Sequence, residues 1–141
     1  MKIAVLGGGP AGLYFAISMK LRDTAHDITV IERNKADDTF GWGVVLSDET
    51  LDNLAENDPV SAERIRAHFA YWDDISVFYR GTRTVSTGHG FCGIGRKDML
   101  LLLQKRAKDL GVNIEFQKEI TPEAIEELRR DNDLVVASDG L

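Results

Sequence analysis

Residues 2–17, KIAVLGGGPAGLYFAI, hold a short apolar run, four glycines around a proline, and a second apolar segment with a different period. Lys2 to Leu6 suits a buried parallel strand, whereas Leu13, Ala16, Ile17 and Met19 to Leu21 recur at helical spacing. Gly7-x-Gly9-x-x-Gly12 therefore follows a strand and opens a helix, the context in which that spacing carries meaning. In such a turn Gly7 permits the tight bend, Gly9 permits the backbone to approach a pyrophosphate, and Gly12 permits close packing of helix on strand. Pro10 fits the first helical position because its missing N–H had no intrahelical acceptor. The remaining free N–H groups around Ala11 and Gly12 point the positive end of the helix dipole at an anion.

Working outward, DITVIER (residues 27–33) reads as a second β-branched strand, which completes a βαβ unit. Glu32 lies at its end, 20 residues after Gly12, where a carboxylate accepts hydrogen bonds from an adenosine ribose. Arg33 follows it. Strands over 2–6, 28–32, 112–116 and 134–138 with helices between them predict a Rossmann-like α/β fold with a parallel sheet and right-handed crossovers. Thr121-Pro122 caps and starts one of those helices, Lys97 to Leu110 forms another, and Gly111 stops it.

Between the second and third parallel strands lie roughly 80 residues, far more than a simple crossover needs. Residues 34–46 read as a polar, glycine-containing loop. Ser47 caps a helix opening with Asp48 and Glu49, and a further helix starts with Asp58 as N-cap and Pro59 at its first position, running through DPVSAERIRAHFAYW. DISVFYRGTRTVST (residues 74–87) reads as a β-hairpin around Arg80-Gly81, and GHGFCGIGR (residues 88–96) as a connection. The whole stretch 1–141 is expected to form one dinucleotide-binding domain with this inserted helical and hairpin segment. It ends just after a strand and Ser138-Asp139-Gly140, where ligand-contacting loops begin in open α/β sheets, and so reads as part of something larger.

Composition narrows the partners. Seventeen Lys and Arg against 23 Asp and Glu give a formal charge of −6, which opposes attraction to nucleic acid or an anionic lipid surface. No apolar run is long enough to span a membrane and no signal peptide pattern opens the chain, so a cytoplasmic protein is expected. Cys92, the single cysteine, makes no internal disulfide and reads as structural. His26, His68 and His89 have no metal-ligand spacing, so no metal site is assigned.

The insertion, the arginine in GIGRKDML and the late VVASDG argue for FAD over NAD at the glycine turn. With these residues in view, the chain resembles the N-terminal part of the flavoprotein aromatic hydroxylases, the para-hydroxybenzoate hydroxylase family, over its whole length. GGGPAGLYFAI, GWGVVLSDETLDNL and GIGRKDMLLLLQKRAKDLGV are most similar to the branch acting on coenzyme A thioesters.

The resemblance implies FAD bound by Gly7, Gly9, Pro10, Ala11, Gly12, Glu32 and Arg33, with Gly43, Val44 and Arg96 toward the flavin nucleotide. It also implies Asp139 and Gly140 in FAD and pyridine-nucleotide handling. The implied reaction is hydroxylation of an aromatic ring with NAD(P)H and O2, the substrate a small aromatic molecule such as a CoA thioester. A homo-oligomer is compatible with it. Ser138 departs from the Gly, Ala or Cys common in relatives, and the downstream Gly-Asp motif and the substrate-binding sheet lie outside this stretch. No residue here is assigned as a general acid or base. Trp42, between two glycines, is expected to pack on a neighbouring helix, with a place near the flavin ring as the alternative; Arg80 and Arg83 are expected to be solvated, with convergence beside Arg96 and Lys97 on phosphates as the alternative. The residues alone leave three alternatives open: another FAD-dependent oxidoreductase, a dinucleotide-binding module without catalysis of its own, and an NAD-only dehydrogenase.

Overall fold

The computed structural model describes residues 1–140. In chain order the elements are β1 (Lys2–Leu6), α1 (Pro10–Arg22), β2 (Asp27–Ile31), β3 (Gly43–Ser47), α2 (Asp48–Asn57), α3 (Pro59–Arg66) and β4 (Ala70–Trp72). They continue with β5 (Ile75–Tyr79), β6 (Thr82–Ser86), β7 (Phe91–Gly95), α4 (Arg96–Asp109), β8 (Asn113–Glu115), α5 (Pro122–Asp131) and β9 (Leu134–Ala137). They divide into two compact units, one of Met1–Phe40 with the chain from Met99 onward, the other of Gly41–Asp98.

The first unit is built on a four-stranded sheet of order β8-β2-β1-β9, and every pair is parallel. Numbered as the parallel strands occur in the chain, this is 3-2-1-4. The chain steps outward from β1 through β2 to β8 and then returns to the other side of β1. The switch point thus falls between β1 and β9, and open α/β sheets bind ligands beyond the strand ends at such a point. Ile3 and Val5 of β1, Ile28 and Val30 of β2, and Leu13, Ala16 and Ile17 of α1 are buried, together with Leu103 and Ala107 of α4. Full burial of each Val, Ile or Leu contributes about 1.5–3 kcal/mol, so these positions account for the sheet and its helices. Lys20 is buried along its stem and donates from Nζ to the Thr24 carbonyl (3.1 Å), so its charge meets an acceptor beyond the last turn of α1. Asp133 ties β9 to β1 at the sheet's other end: Lys2 N–H donates to its Oδ2 (2.7 Å) and its own N–H to the Lys2 carbonyl (2.8 Å).

The parallel strands and the helices of this unit match the sequence expectation to within one or two residues. The second unit departs from it. Residues 43–47 and 91–95, read as loop and connection, pair antiparallel as β3 and β7, with Val44 opposite Ile94 and Leu46 opposite Cys92. The expected long helix from Pro59 stops at Arg66, and Ala70–Trp72 forms β4 on the other edge of β7. Glycines at 41, 43, 93 and 95 hide the strand pattern in sequence, and β3 and β7 find each other only across an intervening segment. Asp58 does precede α3, but its carboxylate accepts from the Ser61 hydroxyl (2.6 Å) rather than capping a backbone N–H. Ser47 and Thr121 cap as expected, accepting from Thr50 N–H (3.3 Å) and Ala124 N–H (3.4 Å). The hairpin around Arg80-Gly81 is present as a separate two-stranded sheet, β5-β6, with both turn residues at positive φ.

Candidate functional site: the glycine turn between β1 and α1

The turn is fixed from both neighbouring strands. On the β2 side, Gly7 N–H donates to the Ile31 carbonyl (2.8 Å) and Gly8 N–H to Glu32 Oε2 (2.7 Å). On the β9 side, Ser138 donates to the Leu6 carbonyl from both its N–H (2.7 Å) and its hydroxyl (2.8 Å), and the hydroxyl lies 3.2 Å from the Gly7 carbonyl. Each glycine then has its own reason. Gly7 has φ +103°, and a Cβ there would fall 2.5 Å from the Ser138 carbonyl oxygen. At Gly12 a Cβ would fall on the Gly7 carbonyl oxygen and 2.5 Å from Ser138 Oγ. At Gly8 it would lie 2.9 Å from Glu32 Cβ.

Gly9 differs from the other three. Its φ of −73° suits any residue, and a Cβ there would meet nothing within 4 Å. Among the described residues no contact requires glycine at this position, and the volume before it is open. Gly9 is also the N-cap of α1 and offers no side-chain cap, with Pro10 at the first helical position. The N–H groups of that first turn are left for an external acceptor such as a phosphate.

Glu32 sits half-buried just past β2. Besides Gly8 N–H on Oε2, its Oε1 accepts from Asn34 N–H (2.7 Å) and Asn34 Nδ2 (2.8 Å). A carboxylate has about four acceptor sites, so Oε2 retains capacity for a further donor such as a ribose hydroxyl. Asn34 is a partner of the Glu32 carboxylate that sequence reading missed; its signal is an amide side chain two residues beyond the acid. Arg33, between them, is exposed. Asp139 and Gly140 lie exposed beyond β9, with the Asp139 α-carbon 2.8 Å from where a Gly7 Cβ would be. The turn, Glu32 and the Ser138-Asp139 backbone thus come together at the switch point.

The other sequence-derived residues lie in the second unit. Gly43 and Val44 open β3, opposite Gly95 and Ile94. Arg96 begins α4, half-buried, and its N–H donates to the Trp42 carbonyl (3.2 Å). The Trp42 side chain is 99% exposed, so the expectation that it packs on a helix is overturned: among the described residues its ring is covered by nothing. Arg80 and Arg83 are exposed, lying over the Tyr79 and Phe78 rings at 5.2 and 5.8 Å. Cys92 is fully buried, and burial pushes its thiol up from the ordinary range. Tyr71 donates to Asp73 Oδ1 (3.1 Å), and that hydrogen bond raises its phenol.

The sequence profile of the pyridine nucleotide-disulphide oxidoreductases matches residues 1–133, which include the whole glycine turn and Glu32. The chain belongs to that family. With Cys92 its only cysteine, the stretch holds no cysteine pair for disulphide chemistry. The family member is 46% identical over 140 residues to salicyloyl-CoA 5-hydroxylase from a Streptomyces species, covering 99% of this chain and 26% of that protein. It is 31% identical over 140 residues to 3-hydroxy-4-methyl-anthranilyl-[aryl-carrier protein] 5-monooxygenase from Streptosporangium sibiricum, covering 99% and 38%. The chain therefore spans between a quarter and two fifths of the length of these relatives. Its fold is shared with the tetrameric form of 2-methyl-3-hydroxypyridine-5-carboxylic acid oxygenase, with TM-score 0.74 and 24% identity over 84% of this chain and 32% of that one. It is shared also with CtdE, solved in complex with FAD and a substrate, with TM-score 0.70 and 19% identity over 86% and 31%.

Proposed function

We propose that this chain is the FAD-binding portion, residues 1–141, of a flavin-dependent monooxygenase that hydroxylates an aromatic acyl group held on a carrier, using NAD(P)H and O2. The observation that carries the dinucleotide reading is Gly9, whose missing side chain answers to no contact among the described residues while the first turn of α1 faces the volume it leaves free. Two relatives support the substrate class, since one name specifies an aromatic acyl group on CoA and the other on an aryl-carrier protein.

The residues present fit the dinucleotide. N–H groups of the first turn of α1 would hold the pyrophosphate, and Oε2 of Glu32 would take a ribose hydroxyl. The resemblance adds Arg33, Gly43, Val44, Arg96, Asp139 and Gly140 as further nucleotide contacts. FAD, when bound, supplies the redox chemistry; the role of this chain is to bind and orient it, and none of its residues needs to move a proton.

The test is titration with FAD and separately with NADH, following flavin fluorescence and thermal stability, on the chain and on Gly9→Ala. The expected result is binding of FAD in preference to NADH. Gly9→Ala should keep folding stability within about 1 kcal/mol, because the small gain from losing a glycine offsets the poorer helix cap. It should nevertheless weaken FAD binding at least tenfold. Preference for NADH, or an unchanged FAD affinity in Gly9→Ala, overturns the reading.

A further inference from the structure

A trans peptide unit carries its C=O and N–H in opposite directions, so the Gly7 carbonyl and the Gly8 N–H are two ends of one rigid plane. In this turn each end has a different side-chain partner. The N–H end donates to Glu32 Oε2 at 2.7 Å, and the carbonyl end lies 3.2 Å from the Ser138 hydroxyl, lodged where a Gly12 Cβ would otherwise be. The plane is flanked by two glycines, so no Cβ opposes its rotation. Rotating it by half a turn would drive the carbonyl oxygen against the Glu32 carboxylate and withdraw it from Ser138.

We propose that Ser138 is a positioning residue of the glycine turn: with Glu32 on the opposite end, its hydroxyl locks the Gly7–Gly8 peptide in the orientation that presents the first turn of α1 to an anion. The Ser138 hydroxyl has one proton and two carbonyl neighbours. Its 2.8 Å bond to the Leu6 carbonyl anchors it to the end of β1, and the 3.2 Å approach to the Gly7 carbonyl places the same proton within reach of the turn. Alanine at 138 removes both hydroxyl contacts, to the Leu6 and to the Gly7 carbonyl, but keeps the backbone bond from the residue-138 N–H to Leu6, so the β1–β9 pairing stays in place while the turn loses its side-chain hold. The consequence for a bound dinucleotide rests on the FAD reading above; the lock itself does not.

The experiment has two arms on the full chain and its Ser138→Ala variant. In the first, without ligand, amide hydrogen exchange is measured at Gly8 and at the strand amides of Val5 and Val30. Exchange at Gly8 should accelerate roughly three- to tenfold in the variant, the ratio a single net hydrogen bond gives, while the strand amides stay as protected as before. Unchanged protection at Gly8, or equal loss at all three positions, overturns the lock and leaves Ser138 a general structural residue.

In the second arm FAD affinity is measured well below the melting temperature for Ser138→Ala, Glu32→Ala and the double variant. Both residues hold one peptide, so the double variant should lose less than the product of the two single losses; losses that multiply fully overturn shared action on that peptide. If the parent chain binds no FAD while Gly8 exchange still responds to Ser138→Ala, the FAD reading fails and the lock stands.

Discussion

The Glu32 carboxylate accepts three hydrogen bonds from its own chain, one from Gly8 and two from Asn34, while keeping room on Oε2. Sequence reading gives this acid only a ligand contact, and the geometry adds a structural role. Glu32→Ala should lower the unfolding free energy by about 1–3 kcal/mol, since the turn's donors lose a charged acceptor, and should also weaken FAD binding. A denaturant melt read beside a fluorescence titration checks both; a stability equal to the parent's would mean that water replaces the carboxylate at no cost. Gly12→Ala differs from Gly9→Ala in the opposite sense. A Cβ at 12 falls on the Gly7 carbonyl oxygen, so overpacking should cost about 1–3 kcal/mol in the same melt whether or not FAD is present.

At the scale of elements, α4 steadies the loop after β2. Gln104 is buried and donates from Nε2 to the Ala36 carbonyl (2.6 Å), a side chain reaching across 68 positions of sequence. Gln104→Ala should cost about 1–3 kcal/mol by leaving that carbonyl short of a donor, and hydrogen exchange in residues 34–40 should quicken. In the three-stranded sheet, Cys92 of β7 is fully enclosed. Its thiol is raised in the folded state, so at neutral pH folded and unfolded chains both keep it protonated and it contributes no pH dependence. As pH rises past the ordinary thiol range the unfolded chain ionises first, and stability falls with further rise. The stability gap between the parent and Cys92→Ala should therefore narrow between pH 7 and 9.5, and a thiol reagent should label the native parent only at the rate of opening.

For the whole molecule, the acidic balance of −6 remains the simplest forecast of what it avoids: at low ionic strength the chain should not be retained on duplex DNA or heparin. Among the described residues no helix is long and apolar enough to cross a membrane. The βαβ unit, the parallel strands and the caps at Ser47 and Thr121 were legible in the sequence, because buried parallel strands are unbroken apolar runs and cap residues act on groups a few positions away. β3, β4 and β7 were not legible. Val44 and Leu46 meet Ile94 and Cys92 only through long-range pairing, and the flanking glycines carry no side-chain pattern to announce it. The glycine spacing and the acid 20 residues beyond it determined by themselves that a strand, a glycine turn and a helix would stand beside a carboxylate, since those residues set a local turn and the end of an adjacent strand. Which glycine faces open space, why Gly12 cannot carry a side chain, and how Ser138 meets Gly7 from 131 positions away were decided only by the tertiary structure. The reason is that these are contacts among three parallel strands whose neighbours in space are set by sheet order and not by sequence distance.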